Sequence, residues 1–468
     1  MTHRKRSWTP VAALLLLAGC AAGPEYVAPA VDTGGGWAEP QANDAAPPPA
    51  EWWTVFEDPA LDRLVARARA NNPDLRQAVA RVAQARALRD AAAGGRYPTV
   101  DAGAAVTRRR QSENGPLPIG RIPGLERDQT IFETGFDAAW EVDLFGRNRR
   151  ALEAADARLG ETVAQRDGAR MTVTAEVVRA WLTLRGLQRE REVRAAALRL
   201  SAQTAAITRR QFELGEVAEA RVVQAEAETA SLRAELPLLD ADIRAQSLAL
   251  GVLLGEPPEA GLALPRPTPQ QPPLTRLPVG ERADLLRRRP DVRAAEWRLA
   301  AATAETGLAA AELFPRLSIG AGGSFQSLEA ADLFTSGSQA WYLVPRVSWR
   351  IFDAGRIRAR LRAGEAGAEA AALAYEAAVL AALLDAERAL SRYHHDLLAL
   401  EQQQIAVAGA RRNPELAERR YEAGDVSLLE LVDAERGLRH AETAEVRMQR
   451  LASTDLVALF KALGGGWE

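Results

Sequence analysis

Residues 210–226, RQFELGEVAEARVVQAE, and residues 419–435, RRYEAGDVSLLELVDAE, carry a glycine at matching places, 209 positions apart. Gly215 and Gly424 each interrupt a stretch of good helix formers. Glycine in a helix interior costs about 1 kcal/mol relative to alanine, so it marks a turn or a cap. The chain therefore needs the same glycine-centred bend twice.

The repetition extends outward from the two glycines. Trp140, Gly146, Phe212 and Leu254-Gly255 match Trp349, Gly355, Tyr421 and Leu463-Gly464 at the same spacing of 209. Upstream, Pro73-Asp74-Leu75-Arg76 matches Pro290-Asp291-Val292-Arg293, and Tyr97-Pro98 matches Phe314-Pro315, both at a spacing of 217. The difference of eight residues falls between Pro98 and Trp140, where the first copy has the longer loop; insertions concentrate in surface loops. Either copy far exceeds the roughly 20–45 residues of a solenoid repeat, so the chain is an internal duplication of one large unit.

Both copies, 73–255 and 290–468, follow one order. Alanine, arginine and leucine, all good helix formers, fill a helix expected over 73–96 and again over 290–313. A pair of strand-like segments follows, within 97–145 and within 315–353. In 131–145, Phe132, Phe136, Ala138, Trp140, Val142 and Leu144 share one face, and Glu133, Asp137, Glu141 and Asp143 share the other. In 341–351, Trp341, Leu343, Val347, Trp349 and Ile351 alternate with Tyr342, Arg346, Ser348 and Arg350. Segments 99–107 and 317–326 alternate more weakly. Period-two alternation gives one apolar and one polar face. The length, about ten residues, is that of a membrane-barrel strand; from these residues alone amphipathic hairpins on a soluble core are the commoner reading.

Long helices are expected over 147–212 and 356–421, each 66 residues or ~100 Å at 1.5 Å per residue. The tips are expected at 213–216 and 422–425, with return helices over 217–254 and 426–463. The 24-residue first helix and the 38-residue return helix together approach the 66 residues of the long one. They can lie end to end beside it, with the glycine bend at one extreme and the strands at the other. Between the copies, residues 256–289 form a linker with eight prolines between 256 and 278, a composition that cannot continue a helix.

The N-terminus reads as a targeting segment. Arg4, Lys5 and Arg6 precede an apolar run, Val11 to Ala18, that ends in Leu17-Ala18-Gly19-Cys20. The run is far shorter than the ~20 residues of a membrane span and fits a secretory signal over 1–19. Cys20 is the only cysteine, so it has no partner for a disulfide. Its position resembles the lipid-modified first residue of a bacterial lipoprotein, and Ala21 after it favours the outer membrane. It is this lipoprotein-like N-terminus that favours the membrane reading of the strands. Removing 1–19 leaves 56 basic against 62 acidic residues, a net charge of −6, which argues against nucleic acid as a partner. No later stretch reads as a transmembrane helix, so any membrane crossing requires a barrel. Four strands cannot close one, because the smallest membrane barrels have about eight. Copies of the chain must then share a barrel.

Five stretches stand out: Trp52-Trp53-x-x-Phe56-x-Asp58-Pro59, Asn72-Pro73-Asp74-Leu75-Arg76, Trp140-Glu141-x-Asp143-Leu144-Phe145-Gly146-Arg147, Phe352-Asp353-x-Gly355-Arg356 and the C-terminal Phe460-Lys461-Ala462-Leu463-Gly464-Gly465-Gly466-Trp467. In these, and in their order and spacing, the chain resembles the outer-membrane efflux protein family, the TolC-like exit ducts, and within it the lipoprotein, NodT-type branch. The resemblance covers essentially all of residues 20–468. It implies a mainly α fold with a small β part: a long helical periplasmic barrel, and a transmembrane β-barrel completed by a homotrimer with four strands per chain. It also implies an equatorial belt, in which 20–72 and the proline-rich linker take part, with outer-membrane lipid around the strands. The implied partners are a periplasmic adaptor protein and an inner-membrane pump of the RND type.

By the same resemblance the bends become hairpin tips that meet the adaptor, involving Gly215, Glu216, Val217, Tyr421, Gly424, Asp425 and Val426. The periplasmic aperture falls on Leu429, Glu430, Asp433 and Arg436. Leu429, Asp433 and Arg436 are spaced 4 and 3 and share a helix face; threefold symmetry makes each a ring, and a ring of Asp433 carboxylates favours cations. From charge spacing alone, Glu430 and Asp433 read as a solvated helix face. One departure stands out: the places of the arginine and acid that lock the tip in the best-known member of the family hold Val426 and Arg221 here.

An enzyme is not expected, for no nucleophile constellation, phosphate loop or zinc spacing is present. His394 and His395 are adjacent and point to different helix faces. No metal or cofactor is expected beyond covalent lipid on Cys20. The competing functions are a type I protein-secretion duct and a periplasmic scaffold lipoprotein without a channel.

Overall fold

The computed structural model describes residues 21–39, 49–112, 126–264, 274 and 279–467. Cys20 and the segment 1–19 lie outside the described residues, as do 113–125 and, within the linker, 265–273 and 275–278. Helices α1 (Pro59–Asn71) and α2 (Pro73–Gly94) precede strands β1 (Thr99–Arg110) and β2 (Asp128–Val142). The long helix α3 (Arg147–Glu213) and the return helix α4 (Glu219–Leu253) complete the first copy. After the short α5 (Asp284–Arg288), the order recurs as α6 (Pro290–Ala311), β3 (Arg316–Ser327), β4 (Gln339–Ser348), α7 (Arg356–Glu422) and α8 (Leu428–Ala462). Helices α3 and α7 are 67 residues each, α4 and α8 35 each. The duplication is written into the backbone: Gly146 and Gly355, Gly215 and Gly424, and Gly255 and Gly464 all have positive φ.

The chain divides into two compact units, one of residues up to 29, 83–161 and 296–374, the other of 30–82, 162–295 and 375–468. The first holds a four-stranded antiparallel sheet in the order β1-β2-β3-β4. Its register aligns the alternation across all four strands. Ala102, Phe136, Gly323 and Trp341 form one rung, and Ala138, Ala321 and Leu343 belong to the next on the same face. Glu133, Asp137, Gly322 and Tyr342 lie on the opposite face. There the Tyr342 hydroxyl donates to Asp137 Oδ1 at 2.8 Å. It crosses Gly322, where a Cβ would sit 2.4 Å from the tyrosine ring. The apolar face is open: Phe136 is 63% exposed, Trp341 81% and Val347 68%.

The strands end earlier than the alternation suggested, at Val142 and Ser348, so Leu144, Trp349 and Ile351 lie beyond them. Trp140, near the end of β2, and Trp349, just past β4, close the helix-to-strand corners. Trp140 Nε1 donates to the Arg96 carbonyl and Trp349 Nε1 to the Leu313 carbonyl, both at 3.0 Å. An indole pairs an apolar body with one donor and suits such a rim.

The second unit carries the main core. Trp52 stacks on Phe460 with ring centroids 4.8 Å apart, among Trp53, Phe56, Leu61, Trp181 and Leu250. Asp58 caps α1 by accepting from the Ala60 and Leu61 amides, and its other oxygen accepts from Trp181 Nε1 at 2.7 Å. The Trp52-to-Pro59 motif is thus a core plug and a helix cap.

One expectation fails. Helix α7 contains an 18-residue window apolar enough in composition to cross a membrane. Its apolarity comes from alanine and leucine, and the helix runs to 67 residues, more than three times the ~20 a span needs. Along its second-unit part, Leu380, Leu384, Leu398, Ile405 and Leu416 are all exposed. Their spacings of 4, 14, 7 and 11 are each close to whole turns of about 3.6 residues, so they form a single apolar stripe.

Candidate hairpin tips and aperture

Each long helix ends in a Schellman motif built on its glycine. Gly215 N–H donates to Phe212 O and Glu216 N–H to Gln211 O, both at 2.9 Å. Gly424 N–H donates to Tyr421 O at 3.0 Å and Asp425 N–H to Arg420 O at 2.8 Å. The pattern requires a left-handed residue after the helix, which glycine adopts without penalty. The φ values are 75° at Gly215 and 78° at Gly424, and no atom stands within 4 Å of a Cβ at either site. Conformation, not crowding, selects glycine here.

The return helices begin at Glu219 and Leu428, two residues later than expected. Ala218 and Ser427 are extended, with ψ of 149° and 158°. A helix start needs such a non-helical residue before its first turn, so the tips run through Glu216–Val217 and Asp425–Val426. Val217 and Val426 are half-buried; Glu216, Tyr421 and Asp425 are exposed.

The four aperture candidates lie on the first three turns of α8. Leu429 is 43% exposed, and Glu430, Asp433 and Arg436 are exposed. The sequence placed Asp433 and Arg436 on one face, and they meet: Arg436 Nη1 donates to Asp433 Oδ1 at 2.8 Å. The sequence missed the second partner. Arg436 Nε lies 2.7 Å from Glu228 Oε1 on α4. This ion pair joins the return helices of the two copies close to their tips. Among the described residues no ion pair forms at Arg221, and Val426 has no charge to offer. Glu228 gave no local signal, since its partner is 208 residues away and its flanking glutamates look alike.

The outer membrane efflux protein family model matches residues 64–256 and 282–465, once for each copy. The pyoverdine export outer membrane protein OpmQ of Pseudomonas putida is 32% identical over 436 residues, 92% of either chain. The toluene efflux pump outer membrane protein TtgI of Pseudomonas putida is 32% identical over 476 residues, 98% of either chain. The solved structure of the outer-membrane channel OprN matches with a TM-score of 0.85 at 35% identity, covering 96% of this chain and 100% of that one. Two matched copies, full-length relatives and a shared fold agree: the chain belongs to the outer membrane efflux protein family.

Proposed function

We propose that the chain forms, as a homotrimer, the outer-membrane exit duct of a tripartite efflux system, anchored by lipid on Cys20. The observation that carries the reading is the sheet. Strands β1 and β4 each pair on one side only, and the sheet is apolar on one face and polar on the other. Backbone groups at an open edge have no partners in lipid, and four strands fall short of the about eight of the smallest barrel. Three chains supply twelve strands with the apolar face toward lipid and the polar face toward a lumen. The exposed leucine stripe of α7 gives the helices a matching seam for a neighbouring copy. A scaffold lipoprotein leaves both features without a use.

The tips then meet a periplasmic adaptor beneath which an RND-type pump drives transport, and Asp433 lines the aperture. OpmQ and TtgI are equally similar to this chain at 32% identity and are named for different cargo, pyoverdine and toluene. The cargo is therefore set elsewhere in the assembly, and small molecules are the substrate class favoured over secreted protein. The full-length protein should run as a heat-modifiable trimer and conduct in planar bilayers. A monomer without conductance overturns the reading. Asp433→Ala should raise the current and weaken block by divalent cations; unchanged current and block remove Asp433 from the aperture.

A further inference from the structure

Residues 21–26 are seated on the first unit by an arginine that the repeat itself does not require. Ala22 N–H donates to the Phe145 carbonyl at 3.0 Å, at the corner between β2 and α3. Arg150, in the first turn of α3, is 4% exposed. Its Nε donates to the Ala22 carbonyl at 3.2 Å and its Nη2 to the Gly23 carbonyl at 3.3 Å. Its Nη1 donates to Glu153 at 2.7 Å. Glycines clear the path of the segment. A Cβ on Gly23, whose φ is 86°, would stand 2.4 Å from Gly307 Cα, and one on Gly146 would stand 2.8 Å from Ala21 Cβ. Further along, the Tyr26 hydroxyl donates to Glu296 at 3.2 Å, and its ring packs on Ala157, Ala300 and Ala301.

A buried guanidinium must have its donors satisfied, and losing partners there costs about 1–3 kcal/mol per group. Two of Arg150's donors are satisfied only while the segment is in place. The second copy provides a control within the same chain. The residue 209 positions after Arg150 is Ala359, and the residue 217 before Gly307 is Asp90. Among the described residues, no N-terminal segment hydrogen-bonds to the second strand-to-helix corner, which lacks both residues.

We propose that Arg150 is a positioning residue for the lipid anchor. It holds residues 21–23 at the β2–α3 corner, so that acyl chains on Cys20 enter the membrane beside the strands rather than from a loose tether. Cys20 directly precedes Ala21 in the chain. The inference rests on the reading that Cys20 is acylated. The seating, however, is a property of the polypeptide and is tested separately.

The full-length channel, solubilised in detergent so that both sides are accessible, is treated with chymotrypsin, and cleavage after Tyr26 is followed by mass spectrometry. Arg150→Ala and Gly23→Val attack the seat from opposite sides. Both should speed cleavage by about tenfold or more, the equivalent of about 1.4 kcal/mol, with the unfolding temperature and the conductance unchanged. A Cys20→Ala chain exported on an ordinary signal peptide should keep Tyr26 protected. Unchanged cleavage in both variants overturns the seat, as does a fall in unfolding temperature that accounts for the faster cleavage. The mass of the released N-terminal fragment reports acylation independently: a fragment without acyl groups removes the lipid reading and leaves the seat to the cleavage rates.

Discussion

The two helical hairpins share a backbone and differ in what ties their arms together. In the first, α3 and α4 are joined by Arg209–Glu226, by Arg194–Glu235 at 3.2 Å, by Arg191–Asp240 and by the Ser201 and Thr229 hydroxyls at 2.9 Å. Moved 209 positions along, these pairs become Glu418 and Glu435, Gln403 and Ala444, Leu400 and Gln449, and Ala410 and Leu438. None of the four can form an ion pair, and the pair nearest the tip has become two carboxylates. Among the described residues, the ion pair between α7 and α8 nearest the tip is Arg411–Glu442, at 3.9 Å. The beginning of α8 is tied to α4 instead, through Arg436 and Glu228. A hairpin stapled to itself moves as one body. A hairpin held by a neighbouring helix is freed when that one link breaks, so the asymmetry makes the second hairpin the less self-tied of the two.

Cutting the link tests this most strongly. Exposed ion pairs contribute about 0.5 kcal/mol each, so three of them in the proposed trimer favour the linked arrangement of the tips by about tenfold. Arg436→Ala should raise the mean bilayer current by that order, and Arg209→Ala, which cuts a staple within the first hairpin, should not. Equal currents from the two variants break the comparison. A smaller effect comes from writing the missing staple back. Glu435→Arg, at the position equivalent to Glu226, gives the second hairpin an opposite-charge pair with Glu418 in place of Arg209–Glu226, with the signs exchanged. Hydrogen exchange of the amides between 415 and 432 should slow by about twofold, as expected for a single surface pair; no slowing means the like charges at 418 and 435 do not loosen the tip.

The smallest expected effect is a pH dependence confined to the second hairpin. Asp396 on α7 is 5% exposed. Burial, then a shared hydrogen bond with Asp455 on α8, raise its pKa to about 7 from the usual 3.8, against the pull of Arg392 and His395. Arg392 Nε stands 3.1 Å from Asp455 and 3.6 Å from Asp396. The folded chain thus binds a proton that the unfolded chain releases near pH 3.8. This contribution to stability is full below that value and is lost as pH rises through about 7. The corresponding residues of the first hairpin, Leu187 and Gln246, carry no charge. The unfolding temperature of the solubilised channel should therefore fall between pH 5.5 and 8 more steeply in wild type than in Asp396→Asn. Parallel profiles would detach Asp396 from the effect.

The repeat, the long helices and the alternating strands were legible because each depends on local chemistry. Gly215 and Gly424 answer to one backbone angle, and alanine-rich helices and period-two strands show their faces in the order of residues. The element ends were legible to within a few residues, and some of the misplaced ones have local causes: Ala218 and Ser427 must be extended before a helix starts, and Trp349, just past β4, donates to the Leu313 carbonyl. The open edges of the sheet also followed from counting strands. What the sequence could not decide were the pairings between distant segments. Arg436 pairs with Glu228 as well as with Asp433, Arg150 buries itself under the carbonyls of residues 22 and 23, and Asp396 meets Asp455; the long-range partners lie across separations that no periodicity encodes. Charge pairing is set by which side chains the fold brings within about 4 Å, and a chain rich in arginine and glutamate offers many equal candidates for each. The sequence determined the duplicated scaffold, and the tertiary structure decided which of its charges hold it.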